Sequence, residues 1–209
     1  MRIAVINETS AAGRNADILE ALDGLGHEVV NAGMKKGGEK PELSYIHTGL
    51  MAAVLLNAKA VDYVIGGCGT GQGFLISVMQ YPGVTCGHII TPLDAWLFTQ
   101  INAGNCVSLM LNQGYGWAGE VNLRFIFEKL FCVEPGAGYP GHRREPQRES
   151  RLLLHDLNVI THQDMRAIIE RLPAEVIQPV IDYPGFLEVL ESYGRADAGI
   201  LAAMQRRKG

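Results

Sequence analysis

The sequence predicts a three-layer α/β domain built on a five-stranded parallel sheet, followed by a helical C-terminal extension. Three observations carry this. Short apolar runs alternate with helix-period segments over the first 132 residues, the pattern of right-handed β-α-β crossovers covered on both faces. Apolar residues make up 47% of the 209 and charged ones only 19%, enough to fill a core and too apolar for a disordered chain. Beyond a Gly/Pro-rich break at 133–150, the remaining apolar residues recur at helical spacing between prolines.

The elements follow in order. Residues 3–6 form an apolar run that ends in the polar Asn7-Glu8-Thr9-Ser10. Asn15 is placed to cap a helix with Ile18, Leu19, Leu22 and Leu25 on one face, and Gly24 and Gly26 stop it. Residues 28–30 read as the second strand. A second helix over about 43–57 carries Ile46, Leu50 and Val54 at intervals of four. Residues 61–65 are the third strand, and Gly66-Gly67-Cys68-Gly69-Thr70-Gly71-Gln72-Gly73 follows it. The fourth and fifth strands are 84–90 and 106–111, with a helix at 93–101 between them and another at about 120–131. The chain therefore divides into a domain at 1–132, a basic Gly/Pro-rich segment at 133–150 and an extension at 151–209 that packs on the domain or on a partner subunit.

Several classes of function are disfavoured. The 18 Lys and Arg against 22 Asp and Glu give a net charge of −4, which argues against a nucleic acid or an anionic membrane as the main partner. The four cysteines show no CxxC spacing, and His47, His88 and His142 are scattered, so no zinc motif can be read. Residues 63–93 lack Lys, Arg, Asp and Glu, but glycines and prolines break them too often for a spanning helix. The N-terminal MRIAVINE reads as a strand rather than a leader, and a cytoplasmic location is expected.

The glycine segment after the third strand is the most informative. Ligands of open α/β sheets bind beyond the carboxyl ends of the strands. Glycines there let backbone N–H groups converge on an oxyanion, helped by the following helix N-terminus. Cys68 heads that array, and oriented N–H groups favour its thiolate. The plain alternative is a small buried hydrophobe, the usual role of a lone cysteine and the one expected of Cys86, Cys106 and Cys132. A dinucleotide fingerprint is excluded because the first strand–helix turn, NETSAAG, lacks it, and a P-loop because no Lys-Ser/Thr follows.

These residues bring a resemblance. MRIAVINE, GHEV, GGCGTGQG with its following Pro-Gly-Val, and AWLFTQINAGN at 95–105 resemble the type B ribose-5-phosphate isomerase family, which includes the galactose-6-phosphate isomerase subunits. The likeness spans about two thirds of the chain, from 1 to 132. It implies a Rossmann-like fold and a homodimer, or a dimer of dimers, with active sites shared between subunits. The implied reaction is aldose–ketose isomerisation of a sugar phosphate through a cis-enediolate, without cofactor or metal. Ribose 5-phosphate and ribulose 5-phosphate, metabolites of the pentose phosphate pathway, are the expected pair. Cys68 matches the general base, Thr70 the hydroxyl that assists ring opening, and the backbone from Gly69 through Gly71 to Gly73 the anion hole. Glu8 stands for a sugar-binding Asp, and Asn102 matches a substrate-binding Asn. Gln72 replaces the Glu that serves as base in the branch carrying Ser at position 68.

The chain also departs from the family. The His after the acidic residue is missing, and the ring-opening His is replaced by Ile101. The phosphate-binding Arg after the fifth strand falls near Asn112, and no Lys or Arg lies between Lys59 and Arg124. The dense supply of cations is at Arg143 and Arg144, which are read either as the phosphate site or as a solvated charged loop. Two further readings stand beside the first: an isomerase with a changed sugar, and a sugar-phosphate-binding subunit without chemistry.

Overall fold

The computed structural model describes residues 1–194 and 198–208. Five strands, β1 (Arg2–Asn7), β2 (Glu28–Asn31), β3 (Tyr63–Cys68), β4 (Cys86–Ile89) and β5 (Cys106–Met110), form one sheet in the order β2-β1-β3-β5-β4. Every pairing is parallel. The order reverses at β1, whose chain continues to β2 on one side while β3 lies on the other. The crevice beyond the carboxyl ends of β1 and β3 is thus the topological switch point, where such sheets bind ligands. The fold is the Rossmann-like α/β sandwich that the sequence predicts, with its helical C-terminal region.

Helices α1 (Asn15–Leu22), α2 (Tyr45–Asn57), α3 (Gln72–Val78), α4 (Pro92–Leu97) and α5 (Gly119–Phe131) connect and follow the strands. On one face, Ile18 and Leu22 of α1 and Leu123, Ile126 and Phe127 of α5 cover Ile3, Val5, Ile65 and Val107 of the sheet. The opposite face carries α2 and α3. Residues 48–56 of α2 are buried all the way round, so this helix needs a second cover on its outer side. The C-terminal helices supply it. Met165 and Ile169 of α7 (Met165–Arg171), Ile177 and Val180 of α8 (Ala174–Ile181), Phe186 of α9 (Phe186–Tyr193) and Met204 of α10 (Ala198–Arg206) join the same core. One helix stands apart: α6 (Arg144–Thr161) contributes no buried residue to this core, and it begins inside the Gly/Pro-rich segment.

Some local outcomes differ from the sequence reading: β3, read as 61–65, starts at Tyr63 and runs on through Gly66, Gly67 and Cys68, since Gly66 and Gly67 let it pack closely on Phe74 and β5. Asn15 is not the cap of α1. It lies inside the first turn and exchanges two amide hydrogen bonds with Asn31, at 2.9 and 2.8 Å, tying α1 to β2. The helix expected at 93–101 is α4 followed by a π-helical turn, Phe98–Asn102, that closes on Ala103 in the left-handed region. The helix expected from 43 begins at Tyr45, because Ser44 and His47 form a capping box there.

Among the described residues no helix is long and apolar enough to cross a membrane. Two stability outcomes follow from the packing. Phe186→Ala should lower unfolding free energy by about 3–5 kcal/mol in one cooperative urea transition, because α9 shares the core of α2. Gly67→Ala should cost about 1–3 kcal/mol, because its Cβ would meet the Leu109 backbone, with the amide nitrogen only 3.0 Å away.

Candidate active site

Cys68 ends β3 and is 6% exposed. Its Sγ lies 3.9 Å from Thr70 Oγ1. The Leu111 N–H donates to the Cys68 carbonyl (3.1 Å), so the start of the loop is tied to the end of β5. The turn that follows is possible because Gly71 takes a φ of +75° as it caps α3. Of the five backbone N–H groups from 69 to 73, three are already engaged. Gly69 donates to Ser10 Oγ (3.0 Å), Gly71 to the Cys68 carbonyl (3.3 Å) and Gln72 to Thr70 Oγ1 (3.3 Å). Those of Thr70 and Gly73 have no partner among the described residues. Gly73 has another role too, since its Cβ would lie 2.9 Å from the Tyr45 ring.

The β1 loop forms the other wall. Glu8 is 3% exposed, and its carboxylate accepts from the Ser10 hydroxyl. Ser10 therefore joins two strand ends, donating to Glu8 and accepting from Gly69. Asn112 closes the third side, donating to the Ser10 carbonyl (2.7 Å) while its N–H reaches the Gly69 carbonyl (3.1 Å). Thr9 donates to Glu42 (2.8 Å), and that bond, with Lys40, holds the Glu42 carboxyl below its usual range. Arg14 donates to the Leu111 carbonyl (3.3 Å) and stacks on Tyr115, whose hydroxyl donates to Asp17 (2.7 Å). Burial, then that bond to Asp17, pushes the Tyr115 phenol up.

Cys68, Thr70, Glu8, Gly69, Gly71 and Gly73 thus stand together at the carboxyl ends of β1 and β3. The other candidates lie elsewhere in the chain. Asn102 ends the π-helical turn and lines a cleft of about 370 Å³ with His88, Asp94 and Phe98, along β4. Arg143 and Arg144 are exposed where α6 begins. Sequence reasoning passed over Ser10 and Asn112 as partners of the glycine loop. The one signal for them was position, since both follow strands at the ligand side of the sheet. Of the three scattered histidines, His47 is used in the α2 cap and His142 is exposed, whereas His88 meets the loop, its Nε2 lying 3.1 Å from the Thr70 carbonyl.

Comparison with known proteins gives the family. The family model described as Ribose/Galactose Isomerase matches residues 3–128. A ribose-5-phosphate isomerase structure from Vibrio parahaemolyticus is 40% identical over 99% of both chains, with a TM-score of 0.94. A 4-deoxy-L-threo-5-hexosulose-uronate ketol-isomerase solved with a tartrate is 36% identical over 99% of both chains, with a TM-score of 0.93. The type B ribose 5-phosphate isomerase of Trypanosoma cruzi, 17% identical over 76% of this chain and 99% of its own, shares the fold with a TM-score of 0.65. Among curated protein sequences none matches. With its glycine loop at the end of β3 and this likeness along its length, the chain belongs to the ribose/galactose isomerase family and is an isomerase.

Proposed function

We propose that this chain interconverts an aldose and a ketose through a cis-enediolate, with Cys68 as the general base. The observation that carries this is the placement of a nearly buried thiol at the switch-point crevice, beside two unengaged N–H groups and a hydroxyl. The Cys68 thiolate takes the proton from C2 of the aldose. The electron pair moves into the C1–C2 bond, and O1 gains negative charge. The N–H groups of Thr70 and Gly73 are the donors available for that charge. Return of the proton to C1 and movement of the hydroxyl proton from O2 to O1 complete the ketose. Thr70 Oγ1, 3.9 Å from the thiol, assists opening of a cyclic substrate. Glu8 accepts a sugar hydroxyl, and Asn102 binds substrate from the β4 side.

For the substrate, ribose 5-phosphate is the first reading, supported by the 40% identical ribose-5-phosphate isomerase of equal length. In this reading Arg143 and Arg144 bind the phosphate, from a second copy of the chain. The protein is then a cytoplasmic homodimer with shared sites. Helix α6 supports the dimer: Leu152, Leu153, Leu154, Leu157, Val159 and Ile160 along it are between 45% and 78% exposed. A second reading, an open-chain keto-uronate, is favoured by Ile101 in place of a ring-opening His and by Asn112 at the end of β5. The 36% identical ketol-isomerase supports it.

Proton exchange in deuterated water, followed by NMR, tests the reaction and separates the substrates. The panel is ribose 5-phosphate, galactose 6-phosphate, their unphosphorylated parents and a 4-deoxyhexulosuronate. Exchange is expected with ribose 5-phosphate, and Cys68→Ala should slow it roughly a thousandfold while leaving the circular dichroism spectrum unchanged. Exchange confined to the uronate establishes the second reading. Wild-type exchange in folded Cys68→Ala removes Cys68 as base. Leu153→Glu combined with Leu157→Glu should convert the dimer to monomer by light scattering, and an unchanged mass places the subunit contact elsewhere.

A further inference from the structure

His88 lies outside the residues assigned to the reaction, yet its ring bears directly on the glycine loop. His88, Ser108 and Gly66 occupy one row across β4, β5 and β3, as register partners. The loop folds back over this row. The His88 Nε2 lies 3.1 Å from the Thr70 carbonyl, so Nε2 carries the proton and donates. The other ring nitrogen, Nδ1, then accepts from the Gln72 side-chain amide at 3.5 Å. The ring also fills the space where Gly71 lacks a Cβ, with Cδ2 2.8 Å from that position. Beside it, the Ser108 hydroxyl donates to the Gly71 carbonyl (2.5 Å).

Because a peptide unit is planar, fixing a carbonyl also fixes the N–H on its other side. The bond from His88 orients the 70–71 peptide, whose Gly71 N–H meets the Cys68 carbonyl. The bond from Ser108 orients the 71–72 peptide, whose Gln72 N–H holds Thr70 Oγ1 beside the thiol. The two side chains thus set the loop from beneath, through the backbone.

We propose that His88 is a positioning residue for the isomerisation, holding Thr70 and the glycine loop in register with Cys68 through the Thr70 carbonyl. This rests on the isomerase reading above. It assigns His88 an effect on turnover through the loop, whose Thr70 carbonyl it holds, and KM separates this from a direct contact with substrate in the β4 cleft that His88 also lines. Gln can present an amide N–H near the position of Nε2, whereas Ala cannot.

The test measures kcat and KM for the sugar that exchanges, together with amide hydrogen exchange across residues 68–73. His88→Ala should lower kcat about a hundredfold, the scale of an ångström's misplacement, with KM within about twofold. The Gly71 and Gln72 amides should exchange at least roughly tenfold faster than in the wild type. His88→Gln should recover most of kcat and of the protection. The proposal is overturned by an unchanged kcat in His88→Ala, or by unchanged amide exchange. It is also overturned if His88→Gln restores thermal stability without restoring kcat. If the wild type exchanges none of the sugars, the isomerase reading fails, and the amide comparison alone then decides whether His88 holds the loop.

Discussion

The site hangs from the carboxyl end of β3, and β3 is clamped between β1 and β5 by parallel pairing along its length. Gly67 makes that clamp possible. It faces the Leu109 backbone too closely for a side chain, and it precedes Cys68 by one residue. With the strand end fixed on both sides, the thiol cannot drift from the loops that follow β1 and β5. Ser10 and Asn112 then cross-link those loops to Gly69 by direct hydrogen bonds. A proton transfer between adjacent carbons tolerates little misplacement, so the catalytic group is best placed at the end of a central buried strand.

The glycines of the loop serve unequal purposes. Gly66 lies against the Phe74 ring and Gly67 against β5, so both are packing positions. Gly71 serves the turn by its positive φ and the ring of His88 by its missing side chain. Gly69 is closely bordered by side chains rather than backbone, with Ser10 Oγ and Asn112 Nδ2 at 3.3 and 3.4 Å from the Cβ position. A run of glycines that reads in the sequence as an anion cradle is, residue by residue, mostly the cost of bringing three strands, a ring and a helix start together.

The succession of strands and helices, the parallel sheet covered on both faces and the glycine segment were legible in the sequence, because hydrophobic period and turn residues are local properties, whereas the strand order was not. The positions of Cys68, Thr70 and Glu8 at or just after the ends of β3 and β1 could be read for the same reason, since recognisable turn residues mark both strand ends. What was not legible depends on contacts far apart in the chain. The role of Ser10 depends on Gly69, 59 residues away, and that of His88 on a carbonyl 18 residues back. Asn15 has the residue type of a helix cap, but its place opposite Asn31 turns it inward. Helix α2 reads as amphipathic at every fourth residue, yet its burial all round follows from the C-terminal helices that cover it. Asn102 lies on the β4 cleft and Arg143 and Arg144 at the start of α6, so distances of this kind, too, are set by the fold and not by local pattern.

The central claim is that Cys68 and the N–H groups at the head of α3 face the two reacting carbons and the developing enediolate charge. A crystal structure with a sugar-acid hydroxamate, a planar mimic of the enediolate, tests it most directly. The account predicts the Cys68 Sγ within about 3.5 Å of the mimic's central atoms, the near-attack distance. It also predicts hydroxamate oxygens accepting from the Thr70 and Gly73 N–H groups. A mimic bound with its reacting atoms away from Cys68 and from the Thr70 and Gly73 N–H groups would contradict it.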